Sequence, residues 1–180
     1  MAIVFVRNYS REGTDHTTLA LPGHQGRLVR TVAAANRHTV VVLETGGPVL
    51  LPWLHRVEGV LEAWYPGARG GQAIAQLLFG KINPSGKLQQ TWPRSDRQLP
   101  ASTPIEFPGV NDNEHYSEGV DVGYRWYYDH NQRPQFSFGY GGSYTSFRYS
   151  KLTLSRSSGT SQQRFSINFS AGAMTSVASS

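Results

Sequence analysis

Apolar and polar positions follow two different periods along the first half of the chain. Residues 2–7, AIVFVR, are β-branched and apolar on both faces, as in a strand buried in a parallel sheet. Residues 24–36, HQGRLVRTVAAAN, place Leu28, Val29, Val32 and Ala33 on one helical face and Arg27 and Arg30 outside it, with Asn36 as the stop. HTVVVLE, 38–44, reads as a second buried strand. Residues 45–56 open on TGGP and hold a short helix, and VEGVLEAWY, 57–65, reads as a third strand. PGARGG then turns the chain into a helix over 70–79 with Ile74, Leu77 and Leu78 inward, and NPSG, 83–86, is a turn.

The order β-α-β-(α)-β-α with short connections predicts an α/β fold with a mostly parallel sheet and helices on both faces. Such sheets hold ligands beyond the carboxyl ends of their strands. The loop NYSREGTDH, 8–16, leaves the first strand at that edge. After residue 90 the periodicity is lost. Residues 93–117 carry four prolines and read as an extended crossover. Residues 119–128 and 135–149 are aromatic-rich with glycine punctuation and read as β or ordered loop. From 151 the chain alternates like one or two strands, and AGAMTSVASS is expected to be disordered.

Composition changes this picture little. With 180 residues, 38% of them hydrophobic, the chain suits one domain, or a domain and part of another. The net charge of +5 comes from scattered Arg and Lys rather than a dense basic run, so solvation is the reading and no nucleic-acid partner is expected. The chain has no cysteine, which excludes disulfides and thiolate chemistry. No apolar run reaches the ~20 residues of a membrane span. MAIVFVRN lacks the pattern of a secretion signal, and the chain starts directly in a strand.

Several chemistries are excluded by motif. There is no GxSxG elbow, and TGGP and GARGG lack phosphate-loop spacing. The six histidines are dispersed, which does not suit a zinc site, and no cofactor is expected. Carboxylates remain. Glu12 sits at the ligand edge and Gly13 allows close backbone approach. A carboxylic acid there suits proton transfer, although polar loops of this kind commonly end as solvated surface.

Together the segments TVVVLETGGPVLLPWL, VEGVLEAWYPGARGGQAIAQLLFGKINPSGKL, TWPRS, YSEGVDVGYRWYYD and FSFGYGGSYTSFRYS resemble the C-terminal half of glycoside hydrolase family 3, β-glucosidase-like members above all, in the family's order over residues 1 to about 152. The resemblance implies an α/β sandwich segment at 1–92, an extended crossover and aromatic-rich loops at 93–150, and a truncated fibronectin type III-like start at 151–180. It also implies a retaining β-glucosidase acting on terminal β-D-glucosides, whose nucleophile is an Asp on a separate (β/α)8 barrel. SREGTDHTTLALPG is similar to the loop that carries the acid/base, which maps that role onto Glu12 and makes Asp15 and His16 substrate-binding positions. In some branches the role falls on the Glu of a GYRYY-linked motif, here Glu118. The form of SREGTD favours Glu12.

The departures are equally specific. The barrel and the first sandwich strands have no counterpart here, so the expectation is a segment that works with a barrel-bearing chain or self-associates through an open sheet edge. Gln89 and Gln90 replace an apolar pair, and Gly142 replaces a leucine. The alternative is a non-catalytic carbohydrate-binding or remnant module using Trp64, Trp92, Trp126 and Tyr127.

Overall fold

The computed structural model describes residues 1–156 and 163–171. Three strands, β1 (Ala2–Arg7), β2 (Thr39–Glu44) and β3 (Gly59–Glu62), form a parallel sheet in the order β1-β2-β3. Helix α1 (Gln25–Ala35) connects β1 to β2. Helices α2 (Gly70–Leu78) and α3 (Tyr124–Asp129) follow, and then an antiparallel pair, β4 (Phe147–Arg156) and β5 (Gln163–Ala171). The chain divides into two compact units: Met1–Gly71 with Lys87–Tyr140, and Gln72–Gly86 with Gly141–Ser180.

In the first unit the register sets the core. Val41 pairs with Val4 on one side and Val60 on the other, and Leu43 with Val6 and Glu62, so these residues share one face. Val29 of α1, Val49, Leu51, Trp53 and Trp92 complete the buried cluster on that face. The opposite face carries Phe5, Val42 and Leu61. Val42 is fully buried and Phe5 is 51% exposed. The expectation of a strand buried on both faces therefore holds for central β2 and fails for β1, which lies at a sheet edge. In α1, Val29 and Ala33 are buried as expected and Val32 packs against the core, but Leu28 is 49% exposed. It sits just outside the arc that the sheet covers.

Three further expectations change. The third strand is shorter than 57–65, because Trp64 takes a left-handed conformation at φ 53° and ends the ladder. The aromatic stretch at 119–128 contains a helix, α3, rather than β or loop alone. Gly123 at φ 59° starts it, Tyr127 is buried, and Trp126 stacks on His130 one turn later at 4.5 Å. Those contacts override the β preference of its aromatic residues. Gln89 and Gln90 lie on the surface, so they take no core position. Their neighbour Leu88 packs against the core and pairs with Gly139 and Tyr140 through backbone hydrogen bonds.

In the second unit the NPSG turn is tied by side-chain bonds. Asn83 Oδ1 accepts from the Ser143 hydroxyl at 3.0 Å and the Tyr144 N–H at 2.8 Å, and the Tyr144 hydroxyl donates to the Leu77 carbonyl at 3.0 Å. β4 and β5 pair with an irregularity between Ser150 and Thr153, where Lys151 has φ 53°. Of the tail AGAMTSVASS, only Ala171 falls within the described residues.

Candidate active site

The three parallel strands end together, and the loops that leave them form an open recess of about 420 Å3. Arg7, Tyr9 and Ser10 line it from the β1 side, Glu44 from the end of β2, and Tyr65 and Gly67 from beyond β3. This is the edge where the strand-helix pattern places a ligand.

Asn8 and Tyr65 hold the recess together. Asn8 is buried and its side-chain oxygen accepts the Gly46 N–H at 3.0 Å. The Tyr65 hydroxyl accepts the Ser10 N–H at 3.0 Å and lies 3.2 Å from the Asn8 carbonyl and 3.1 Å from Asn8 Oδ1, to which it donates. Gly46 is required by close approach. A Cβ there would meet Ser10 Oγ at 2.6 Å and the Tyr65 hydroxyl at 3.0 Å.

The loop is tied at its far end as well. Asp96 accepts the Thr18 hydroxyl and the Leu19 N–H, each at 2.8 Å, and the Leu19 carbonyl accepts the Leu50 N–H at 2.9 Å. Between these ties residues 11–17 are exposed. Arg11 and Thr14 bridge a tight turn, supported by Arg11 Nε donating to Thr14 Oγ1 at 3.0 Å, and Gly13 takes φ 73° within it. Glu12 stands at this turn beside Gly13. Asp15 and His16 follow on the same exposed stretch, and His16 Nε2 lies 3.2 Å from Ser10 Oγ.

Glu118 belongs to a different segment. It is half-buried in a turn whose carbonyl accepts the Asp121 N–H at 3.0 Å. The stretch before it is pinned by Glu106. Its carboxylate accepts from the N–H groups of Ser102 and Thr103 and from the hydroxyls of Thr103 and Ser117. Those donors, the Ser117 hydroxyl foremost, hold Glu106 down at about 2.

Glu62 is the carboxylate that chemistry-first reading of the sequence passes over. It occupies a core-face position beside Leu43, in the row that Val6 ends, and burial pushes it up to about 7. The Trp64 N–H donates to Glu62 Oε1 at 2.7 Å, and Thr45 Oγ1 lies 3.1 Å from Oε2. The signal was available: in GVLE, Val60 and Glu62 alternate onto one face, so a carboxylate falls where a strand points inward.

The aromatic residues of the alternative binding-module reading are mostly structural. Trp92 and Tyr127 are buried, Trp64 and Phe136 pack edge-on against Trp92, and Trp126 is covered by His130. Among the described residues no His, Asp or Glu cluster could hold a metal, and no helix is long and apolar enough to cross a membrane.

A parallel α/β unit with a loop-built recess at its strand ends is the arrangement in which open α/β sheets commonly hold ligands. Residues 1–144 match the glycosyl hydrolase family 3 C-terminal domain. The chain is 42% identical over 159 residues to a thermostable β-glucosidase B from Acetivibrio thermocellus, covering 87% of this chain and 21% of that protein. It is 40% identical over 146 residues to an exo-α-(1→6)-L-arabinopyranosidase from Bifidobacterium breve, covering 81% and 19%. Its fold superposes with TM-score 0.82, at 47% identity, on the crystal structure of DesR, a β-glucosidase from Streptomyces venezuelae in complex with D-glucose, covering 87% of this chain and 20% of that one. The chain belongs to glycoside hydrolase family 3, and it spans about a fifth of the length of these relatives.

Proposed function

We propose that this chain supplies the acid/base carboxylate of a retaining, β-glucosidase-like glycoside hydrolase, and that Glu12 is that carboxylate. The observation that carries the reading is the double tie of its loop. Asn8 and Ser10 are held at one end, Thr18 and Leu19 at the other, and Glu12 stands exposed between them beyond the carboxyl end of the sheet. A proton donor has to project into a cleft and still be held in place. Glu118 is the second candidate, on the segment held by Glu106.

The chemistry needs a second carboxyl group about 5–5.5 Å away, attacking the anomeric carbon from the opposite side. In this proposal that nucleophile belongs to a barrel. Glu12 protonates the departing glycosidic oxygen, then removes a proton from the water that releases the sugar. Asp15 and His16 bind sugar hydroxyls beside it. The segment division at 92 and 150, with a fibronectin type III-like start from 151, is part of the same proposal. The β-glucosidase names of the relatives support terminal β-D-glucosides as substrates. The arabinopyranosidase relative means that the sugar has to be measured.

The test combines the chain with a barrel-bearing partner and assays aryl and alkyl β-glucosides. Glu12→Gln is expected to slow the alkyl substrate by ~10²–10⁴-fold. Azide should restore turnover of the activated aryl substrate as a β-glucosyl azide. An unchanged rate in Glu12→Gln with loss in Glu118→Gln would transfer the role to Glu118, and no wild-type turnover with any glycoside would sink the reading.

A further inference from the structure

Glu62 lies behind the recess and bonds the residues just before two of its supports, Trp64 before Tyr65 and Thr45 before Gly46. Its Oε1 accepts the Trp64 N–H, fixing the left-handed residue that precedes Tyr65. Its Oε2 meets the Thr45 hydroxyl, and Thr45 precedes Gly46, whose N–H is held by Asn8. From Tyr65 the connection continues to the Ser10 N–H, and from Gly46 to Asn8. We infer that Glu62 is a positioning residue for the 8–16 loop, and that its proton switches how the Thr45 and Tyr65 arms hold that loop. The loop's importance rests on the Glu12 reading, but the coupling itself does not.

The switch follows from counting protons. The Thr45 hydroxyl has one proton and two acceptors in reach, the Gly47 carbonyl at 2.8 Å and Glu62 Oε2 at 3.1 Å. With Glu62 ionised, the hydroxyl is drawn to the carboxylate and the Gly47 carbonyl loses its donor. With Glu62 protonated, the acid donates to Thr45 Oγ1, and Thr45 donates onward to Gly47. Burial brings this change near neutral pH, at about 7. The groups bonded to Glu62 are neutral: the Thr45 hydroxyl and N–H from beyond the end of β2 and the Trp64 N–H from its own turn. Glu44 and Arg7 line the recess, and Glu44 pairs in register with Arg7, one position past the Glu62 row. His16 is the titratable neighbour at the far end, on Ser10 Oγ.

The coupling is readable by NMR on the full 15N-labelled chain, without substrate. The Trp64 and Ser10 amide signals should titrate together with a midpoint near 7. Glu62→Gln should abolish both titrations. Tyr65→Phe should keep the Trp64 titration and remove that of Ser10. A Ser10 titration that persists in Glu62→Gln would have a source other than Glu62 and would overturn the proposal, as would one unchanged in Tyr65→Phe. In the barrel-bearing assembly, Tyr65→Phe should lower kcat by roughly tenfold to a hundredfold with KM little changed. A failed glycosidase reading would show as absent wild-type turnover, with the amide titrations intact.

Discussion

Asp96 accepts the Thr18 hydroxyl at 2.8 Å, across 78 residues of chain. Its other oxygen accepts the Leu19 N–H at the same distance. One carboxylate thus closes the far end of the loop that carries Glu12. Hydrogen bonds to a charged acceptor contribute roughly 1.5–3 kcal/mol each at best, less where exposed. Asp96→Ala is expected to lower stability by about 1–2 kcal/mol. It should also speed amide exchange at Leu19 while leaving Val41 and Val42 protected, which hydrogen exchange would resolve.

The buried carboxyl of Glu62 gives a pH dependence of fixed sign. Its folded value, about 7, lies above the ordinary 4.5, so the native state binds the extra proton between those limits. Stability from this group is fully present below the ordinary 4.5, falls as pH rises through 7, and levels off above it. After discounting for partial exposure, the loss is about 2 kcal/mol. Urea unfolding at pH 5, 6, 7 and 8 should show this slope in the wild type and a flatter one in Glu62→Gln.

Glu106 has the opposite sign. Its carboxyl is held at about 2 by hydroxyl and backbone donors, so its contribution is present above the ordinary 4.5 and is lost as pH falls toward 2. Limited proteolysis between pH 5 and 2.5 with an acid-active protease should cut the 102–117 stretch progressively more. Glu106→Gln should be cut at pH 5 as readily as the wild type is at low pH.

Gly46→Ala puts a methyl group 2.6 Å from Ser10 Oγ and 3.0 Å from the Tyr65 hydroxyl. Ser10, whose own Cβ would lie 2.8 Å away, has to shift to admit it. A loss of about 1–3 kcal/mol is expected by thermal unfolding. Gly47→Ala, where a Cβ would meet only Gln90 Oε1 at 3.9 Å, is the matched control and should stay near wild type on crowding grounds.

Strand β1 ends the parallel sheet and presents Phe5 half-exposed. An open edge beside an exposed ring favours self-association. Light scattering should find concentration-dependent oligomers, reduced in Phe5→Lys. A monomer at every concentration would exclude association through this edge.

Much of the sheet was readable from periodicity. AIVFVR, TVVVLE and GVLE are strands because β-branched runs at these spacings suit a pleated ladder, and α1 follows its apolar stripe. What escaped depends on contacts distant in sequence. α3 forms in an aromatic run because Tyr127 finds a buried site. Trp92 and Tyr127 suggested sugar platforms, but ring type alone does not say which side of the surface a ring occupies. The Glu12 loop was visible as a polar break after β1. Its supports were not, because Tyr65 and Asp96 reach it from 55 and 78 residues away.

Because the 8–19 loop is clamped at both ends, residues 11–17 behave as a closed cassette whose termini are set by the scaffold. Closure entropy grows only with the logarithm of length, so adding or exchanging residues between Ser10 and Thr18 costs the fold little. The side chains presented at this edge can therefore be exchanged within one short segment while the sheet beneath keeps its packing.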